Sequence, residues 1–113
     1  MIIEELFSKL VRKHGEEFHW LNIKDKQEIF IKELYSELNE NHPLYKVKIA
    51  NALARSGAND DVLFLLEDGS CIIVHLTWSK TNISSFPHYI EFSDLQTALK
   101  HIEDMFTAEY TTA

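Results

Sequence analysis

One cysteine, two prolines and three glycines are all that this chain of 113 residues holds of the types that staple, break or loosen a backbone. A lone cysteine, Cys71, rules out an intrachain disulfide and any cysteine metal cluster. Its place inside an apolar run points to a reducing, cytoplasmic, bacterial-type setting. So little proline and glycine excludes a disordered linker or a fibrous repeat. Also missing is any apolar stretch near the roughly 18 residues of a spanning helix, and Met1-Ile2-Ile3-Glu4-Glu5 lacks the basic region that opens a signal peptide. Basic side chains are few, 11 against 18 acidic, and the formal charge of -7 repels phosphate backbones and anionic lipid, so neither nucleic acid nor membrane is an expected partner. The motifs G-x-S-x-G, Walker loop and G-x-G-x-x-G are absent.

What is there is the balance of an ordinary folded protein, 45% apolar and 26% charged, in a length suited to one domain spanning residues 1–113. Ile2, Ile3, Leu6, Phe7, Leu10 and Val11 recur at helical spacing and Gly15 follows, predicting a helix over 2–13. The stretch 16–23, with Phe18, Trp20, Leu21 and Ile23, reads equally as a helical turn or as a loop folded onto the core. Asp25 and Glu28 have the spacing of a capping box, and Phe30, Ile31, Leu34, Tyr35 and Leu38 continue on one face, predicting a second helix over about 25–40 that Asn41-His42-Pro43 ends.

From Tyr45 the period changes to 2, with Val47 and Ile49 alternating with Lys46 and Lys48 on a strand running toward Arg55, with a bulge near Asn51 where the parity changes. Two apolar runs, Val62–Leu66 and Cys71–Leu76, flank Asp68-Gly69, the signal of a hairpin closed by a two-residue type I′ turn. That turn would pair Leu65 with Ile72, Leu63 with Val74 and Val62 with His75. Both faces of the hairpin are apolar, so each needs a cover, supplied by helices divided between the faces or by a second copy. His88–Phe92 alternates as a fourth strand, and Ser93 or Asp94 caps a last helix carrying Leu95, Leu99, Ile102, Met105 and Phe106 on one face, with 108–113 fraying. The expected fold is α+β: two N-terminal helices, a four-stranded antiparallel meander and a C-terminal helix packed on the sheet.

Candidate chemistry gathers at one end of that sheet. Arg55, Asp60, Asp61, His75, Thr77, Trp78 and Ser79 form the candidate binding cluster, with Asp60 opposite Thr77 and His75 two residues away on the same face. An acid–base or anion-handling role for Asp60, His75, Thr77 and Arg55 competes with a structural one, in which Asp60 and Asp61 close a turn and His75 is a satisfied core histidine. The six histidines are scattered and no pair has the i, i+4 spacing of helical metal ligands, so neither a metal nor another cofactor is expected. Cys71, mid-strand among apolar residues, makes a poor nucleophile. Trp78 ends a strand between polar neighbours, which sets it apart from the core aromatics.

The segments Asn41-His42-Pro43-Leu44-Tyr45, Asp60-Asp61-Val62-Leu63-Phe64, Asp68-Gly69 and Val74-His75-Leu76-Thr77-Trp78-Ser79 together resemble a family of small uncharacterised bacterial proteins. The resemblance covers about residues 41–79 and implies no activity, cofactor or catalytic residue. The leading functional expectation is a non-enzymatic protein-interaction module, homodimeric or immunity-like toward a basic partner. It rests on the two-faced apolar sheet and the charge of -7. The alternative is a small enzyme or small-molecule binder at the Asp60, His75, Thr77, Trp78 end.

Overall fold

The computed structural model of the chain describes residues 9, 12–13, 20–57, 59–79 and 86–111. Its elements run β1 (Trp20–Asn22), a 3-10 turn (Lys24–Lys26), α1 (Gln27–Glu37), β2 (Ile49–Ser56), β3 (Asp61–Leu66), β4 (Cys71–His75), β5 (His88–Phe92) and α2 (Leu95–Thr111). The strands form an antiparallel meander in the order β1-β2-β3-β4-β5.

The fold is therefore α+β with its C-terminal helix on the sheet, but its elements differ from those expected. The described sheet has five strands, not four: Trp20–Asn22, within the stretch that reads equally as a helical turn or a loop, is β1, which pairs Trp20 with Ser56 and Asn22 with Ala54. Three residues are too few to show alternation, so the strand left no period in the sequence. Among the described residues one helix, α1, stands between β1 and β2, in place of two helices ahead of the sheet. The expected helix over 2–13 lies outside the described residues apart from Lys9, Arg12 and Lys13, the last of which pairs with Glu103 of α2 at 2.9 Å. The capping box is also absent. Asp25 sits in the 3-10 turn, α1 starts at Gln27, and no side chain caps either start.

Both sheet faces are buried, as their composition requires, and α1 lies on one and α2 on the other. Phe30, Leu34 and Leu38, with Ile23 and Leu44, pack against Ala52, Val62, Phe64, Ile72, Val74 and Leu76. On the opposite face Ala98, Leu99 and Ile102 of α2 pack against Leu53, Leu63, Cys71 and Ile73. The sheet is thus a middle layer, and α2 begins where the Asp94 carboxylate accepts the Thr97 N–H at 2.8 Å. Its helical backbone continues to Thr111, past the point where fraying was expected. In β2 the register shifts between Ile49 and Asn51 and again between Ala52 and Ala54, which places the expected irregularity around Asn51.

The central hairpin differs from its expected register by one residue. Val62 faces Val74, Leu63 faces Ile73, Phe64 faces Ile72 and Asp61 faces His75, so the β4 residues exchange faces relative to β3. The cause is the turn. The Gly69 N–H bonds Leu66 O at 3.1 Å, the Leu66 N–H bonds Ser70 O at 2.9 Å, and of Asp68 and Gly69 only Gly69 has positive φ, +91°. A type I′ turn needs two such residues. The connection is instead the three-residue loop Glu67-Asp68-Gly69 with glycine in the left-handed position. The Asp68 carboxylate accepts the Ser70 hydroxyl and N–H, which holds its carboxyl below the ordinary range. A Cβ at Gly69 would meet nothing within 4 Å, so Gly69→Ala carries a backbone penalty alone. We expect it to lower unfolding free energy by about 1 kcal/mol in a urea titration, and an unchanged midpoint would show that the turn is of another type.

Candidate functional site

β3 and β4 carry the candidate cluster because their paired ends bring residues 59–61 beside residues 75–78. The one-residue shift changes which carboxylate meets the histidine: His75 Nδ1 lies 2.8 Å from Asp61 Oδ1, not near Asp60. Both side chains are partly open to solvent. Asp60 contributes its main-chain oxygen to the Leu76 N–H at 3.1 Å. Arg55, Asp60, Asp61 and Trp78 do converge, around a dent of about 10 Å³ floored by Phe30 and Val62. That volume holds at most one water. His75 reaches the dent only through Asp61, and neither Thr77 nor Ser79 lines it.

Thr77 and Trp78 belong to a different arrangement, organised by a residue that the sequence reading passed over. Glu37, at the end of α1, is only 1% exposed. Its Oε1 accepts the Thr77 N–H at 2.8 Å and the Thr77 hydroxyl at 2.7 Å, and its Oε2 accepts the Trp78 N–H at 2.8 Å. A buried carboxylate is stable only when such donors replace its lost water. The chain leaving β4 is thereby gripped through two successive backbone N–H groups, and Trp78 is held at φ +55°, a left-handed conformation rare for a bulky residue. Its indole stands edge-on to Phe30 at 5.9 Å and remains 46% exposed. The Ser79 N–H then donates to the Thr77 hydroxyl at 3.3 Å, closing the turn.

A signal for Glu37 was present in the spacing. Positions 30, 34 and 37 fall on one helical stripe, so a charged residue at 37 lies on the buried face. It also lies at the helix C-terminus, where the dipole disfavours an acid. A second missed residue is His42, 4% exposed. Its Nδ1 accepts the Leu44 N–H at 3.0 Å, which assigns the ring proton to Nε2, and Nε2 donates to Pro87 O at 2.9 Å. His42 thus ties the loop after α1 to the start of β5.

A larger, open cleft of about 490 Å³ lies between the start of α1 and β2, bordered by Asp25, Lys26, Gln27, Glu28 and Asn51. Its border is mostly exposed, and Asn51 already donates to Gln27 Oε1 at 3.0 Å. Among the described residues no three His, Cys, Asp or Glu side chains converge as metal ligands. Cys71 is buried, and its thiol is pushed up to about 11 by burial and then by the charges of Asp94 and Asp68, so little thiolate exists at neutral pH. No helix among the described residues is long and apolar enough to cross a membrane.

No family model, curated protein or solved structure matches this chain.

Proposed function

We propose that the chain is a non-enzymatic protein-interaction module whose contact surface centres on Trp78 and whose partner is basic. The observation that carries this reading is the Glu37 clamp. A buried carboxylate spends all three of its hydrogen bonds on the segment that presents one tryptophan, and that tryptophan is left 46% exposed in a strained backbone conformation. Such strain costs of order 1–3 kcal/mol and persists where the surrounding structure over-determines it, commonly at functional sites. Tryptophan is also the side chain most often found as an interface anchor.

The charge of the surface supports a basic partner. Asp60 and Asp61 beside Trp78 outnumber Arg55, the whole chain carries -7, and an indole face attracts lysine and arginine directly. The small dent favours a protein surface over an enclosed small molecule.

The test is fluorescence anisotropy with a fluorescein-labelled arginine-rich peptide at low salt, using a glutamate-rich peptide as control. The expected result is binding of the basic peptide alone, weakened by about tenfold or more in Trp78→Ala, a loss of about 1.4 kcal/mol or more. Trp78 is half exposed, so this variant should keep its fold. Equal binding of both peptides, or an unchanged affinity in Trp78→Ala, would overturn the reading.

A further inference from the structure

The two edges of the described sheet are unlike. β1 is three residues long, and shortness is one way in which proteins keep an edge from pairing with another chain. Among the described residues no strand lies beyond β5, and of the usual protections it carries only the charge of Glu91. Its five residues, His88-Tyr89-Ile90-Glu91-Phe92, include no lysine and no proline, and its pairing with β4 runs from Cys71–Phe92 to His75–His88 without a register shift. Its start is fixed, because Pro87 O accepts the bond from buried His42. Ile90, at its centre, is 48% exposed, although Ile73 directly opposite it on β4 is buried.

From these features we infer that β5 pairs antiparallel with β5 of a second copy of this chain about a two-fold axis at Ile90, joining two five-stranded sheets into one.

The sequence of β5 is self-complementary in that register. Ile90 meets its own counterpart, Tyr89 meets Glu91, and His88 meets Phe92, so the strand's one carboxylate faces a phenol and no like charges oppose each other. This matters in a chain of charge -7, where self-association is feasible only across a surface poor in charge. At 0.15 M salt the screening length is about 8 Å, so the remaining charges of each copy oppose the pairing weakly. A two-fold axis closes the assembly at two copies and leaves each β1 at the far end of the joined sheet. The Trp78 surface is a separate feature, and its occupancy by a partner is independent of this pairing.

The test is the mass of the whole chain by light scattering after size-exclusion chromatography over a dilution series at 0.15 M salt. The expected result is twice 13.2 kDa at high concentration. Ile90→Lys, at a half-exposed position, should weaken the dimer by about tenfold or more and leave the circular dichroism spectrum unchanged. Register is read by cross-linking with copper phenanthroline as oxidant. Ile90→Cys brings two cysteines directly opposite, with Cα atoms about 4.5 to 5.5 Å apart, within disulfide reach. Glu91→Cys places them diagonally at about 7 to 8 Å and should not cross-link. Buried Cys71 does not interfere. A mass of 13.2 kDa at every concentration, a dimer indifferent to Ile90→Lys, or cross-linking by Glu91→Cys in place of Ile90→Cys would each overturn the inference. Trp78→Ala should leave the mass unchanged, so the two surfaces fail or succeed separately.

Discussion

Glu37→Ala should destabilise the protein by about 3 to 4 kcal/mol, more than a typical substitution. The carboxylate is 1% exposed and holds the N–H groups of Thr77 and Trp78 together with the Thr77 hydroxyl. Truncation leaves these part-buried donors facing a void, and each group left unsatisfied costs about 1 to 3 kcal/mol. The Trp78 backbone, held at φ +55° by one of those bonds, would relax toward an ordinary conformation, and the indole would leave Phe30. Glu37→Gln separates the charge from the hydrogen bonds. Its amide oxygen can still serve Thr77, but its NH₂ then confronts the Trp78 N–H, donor against donor. The expected loss is smaller, about 1 to 2 kcal/mol. Urea denaturation measures both, and a Glu37→Ala variant within about 0.5 kcal/mol of the parent would show that the clamp does not hold Trp78.

His42→Ala should cost about 2 to 3 kcal/mol by loss of two buried hydrogen bonds and by the cavity that the missing ring would leave beside Leu44. The ring accepts from Leu44 N–H and donates to Pro87 O, so it is the polar link between the loop after α1 and the edge strand β5, forty-five residues apart. His42→Asn provides the control. Its shorter amide can reach the Leu44 N–H but not Pro87 O, so it should recover about 1 kcal/mol, the worth of one ordinary hydrogen bond. The unfolding midpoints of the two variants distinguish a bridging histidine from one that merely fills space. Equal losses in both would assign His42 a packing role.

Much of the fold was legible because it rests on periodicity. The stripe Phe30, Leu34 and Leu38 marked α1, the stripe Leu95, Leu99, Ile102 and Phe106 marked α2, and the unbroken apolar runs of β3 and β4 announced a sheet covered on both faces. What was not legible depended on single dihedral angles or on distant partners. Asp68-Gly69 is compatible with two turns that differ by one residue, and only the φ of Asp68 decides between them. That single choice moved His75 from Asp60 to Asp61 and dissolved the expected grouping of Asp60, His75 and Thr77. β1 was hidden by its length. Glu37 and His42 each meet a partner forty or more residues away, which no local spacing identifies, although a glutamate on an apolar helical stripe marked Glu37 itself as an anomaly.

The cluster read from sequence was half assembled by the fold. Arg55, Asp60, Asp61 and Trp78 share one dent, while Thr77 and Ser79 serve the backbone behind it. The consequence is a division of labour in which the polar side chains hold the scaffold and the tryptophan is displayed.

The proposed role of Trp78 as an anchor for a basic partner is tested most directly by two-dimensional ¹⁵N–¹H spectra of the whole chain titrated with the arginine-rich peptide. The Trp78 indole N–H and the amides of Asp60 and Asp61 are expected to shift together and saturably, while the Trp20 indole and the β5 amides stay in place. Shifts confined to other surfaces, or an immobile Trp78 indole at saturating peptide, would contradict it.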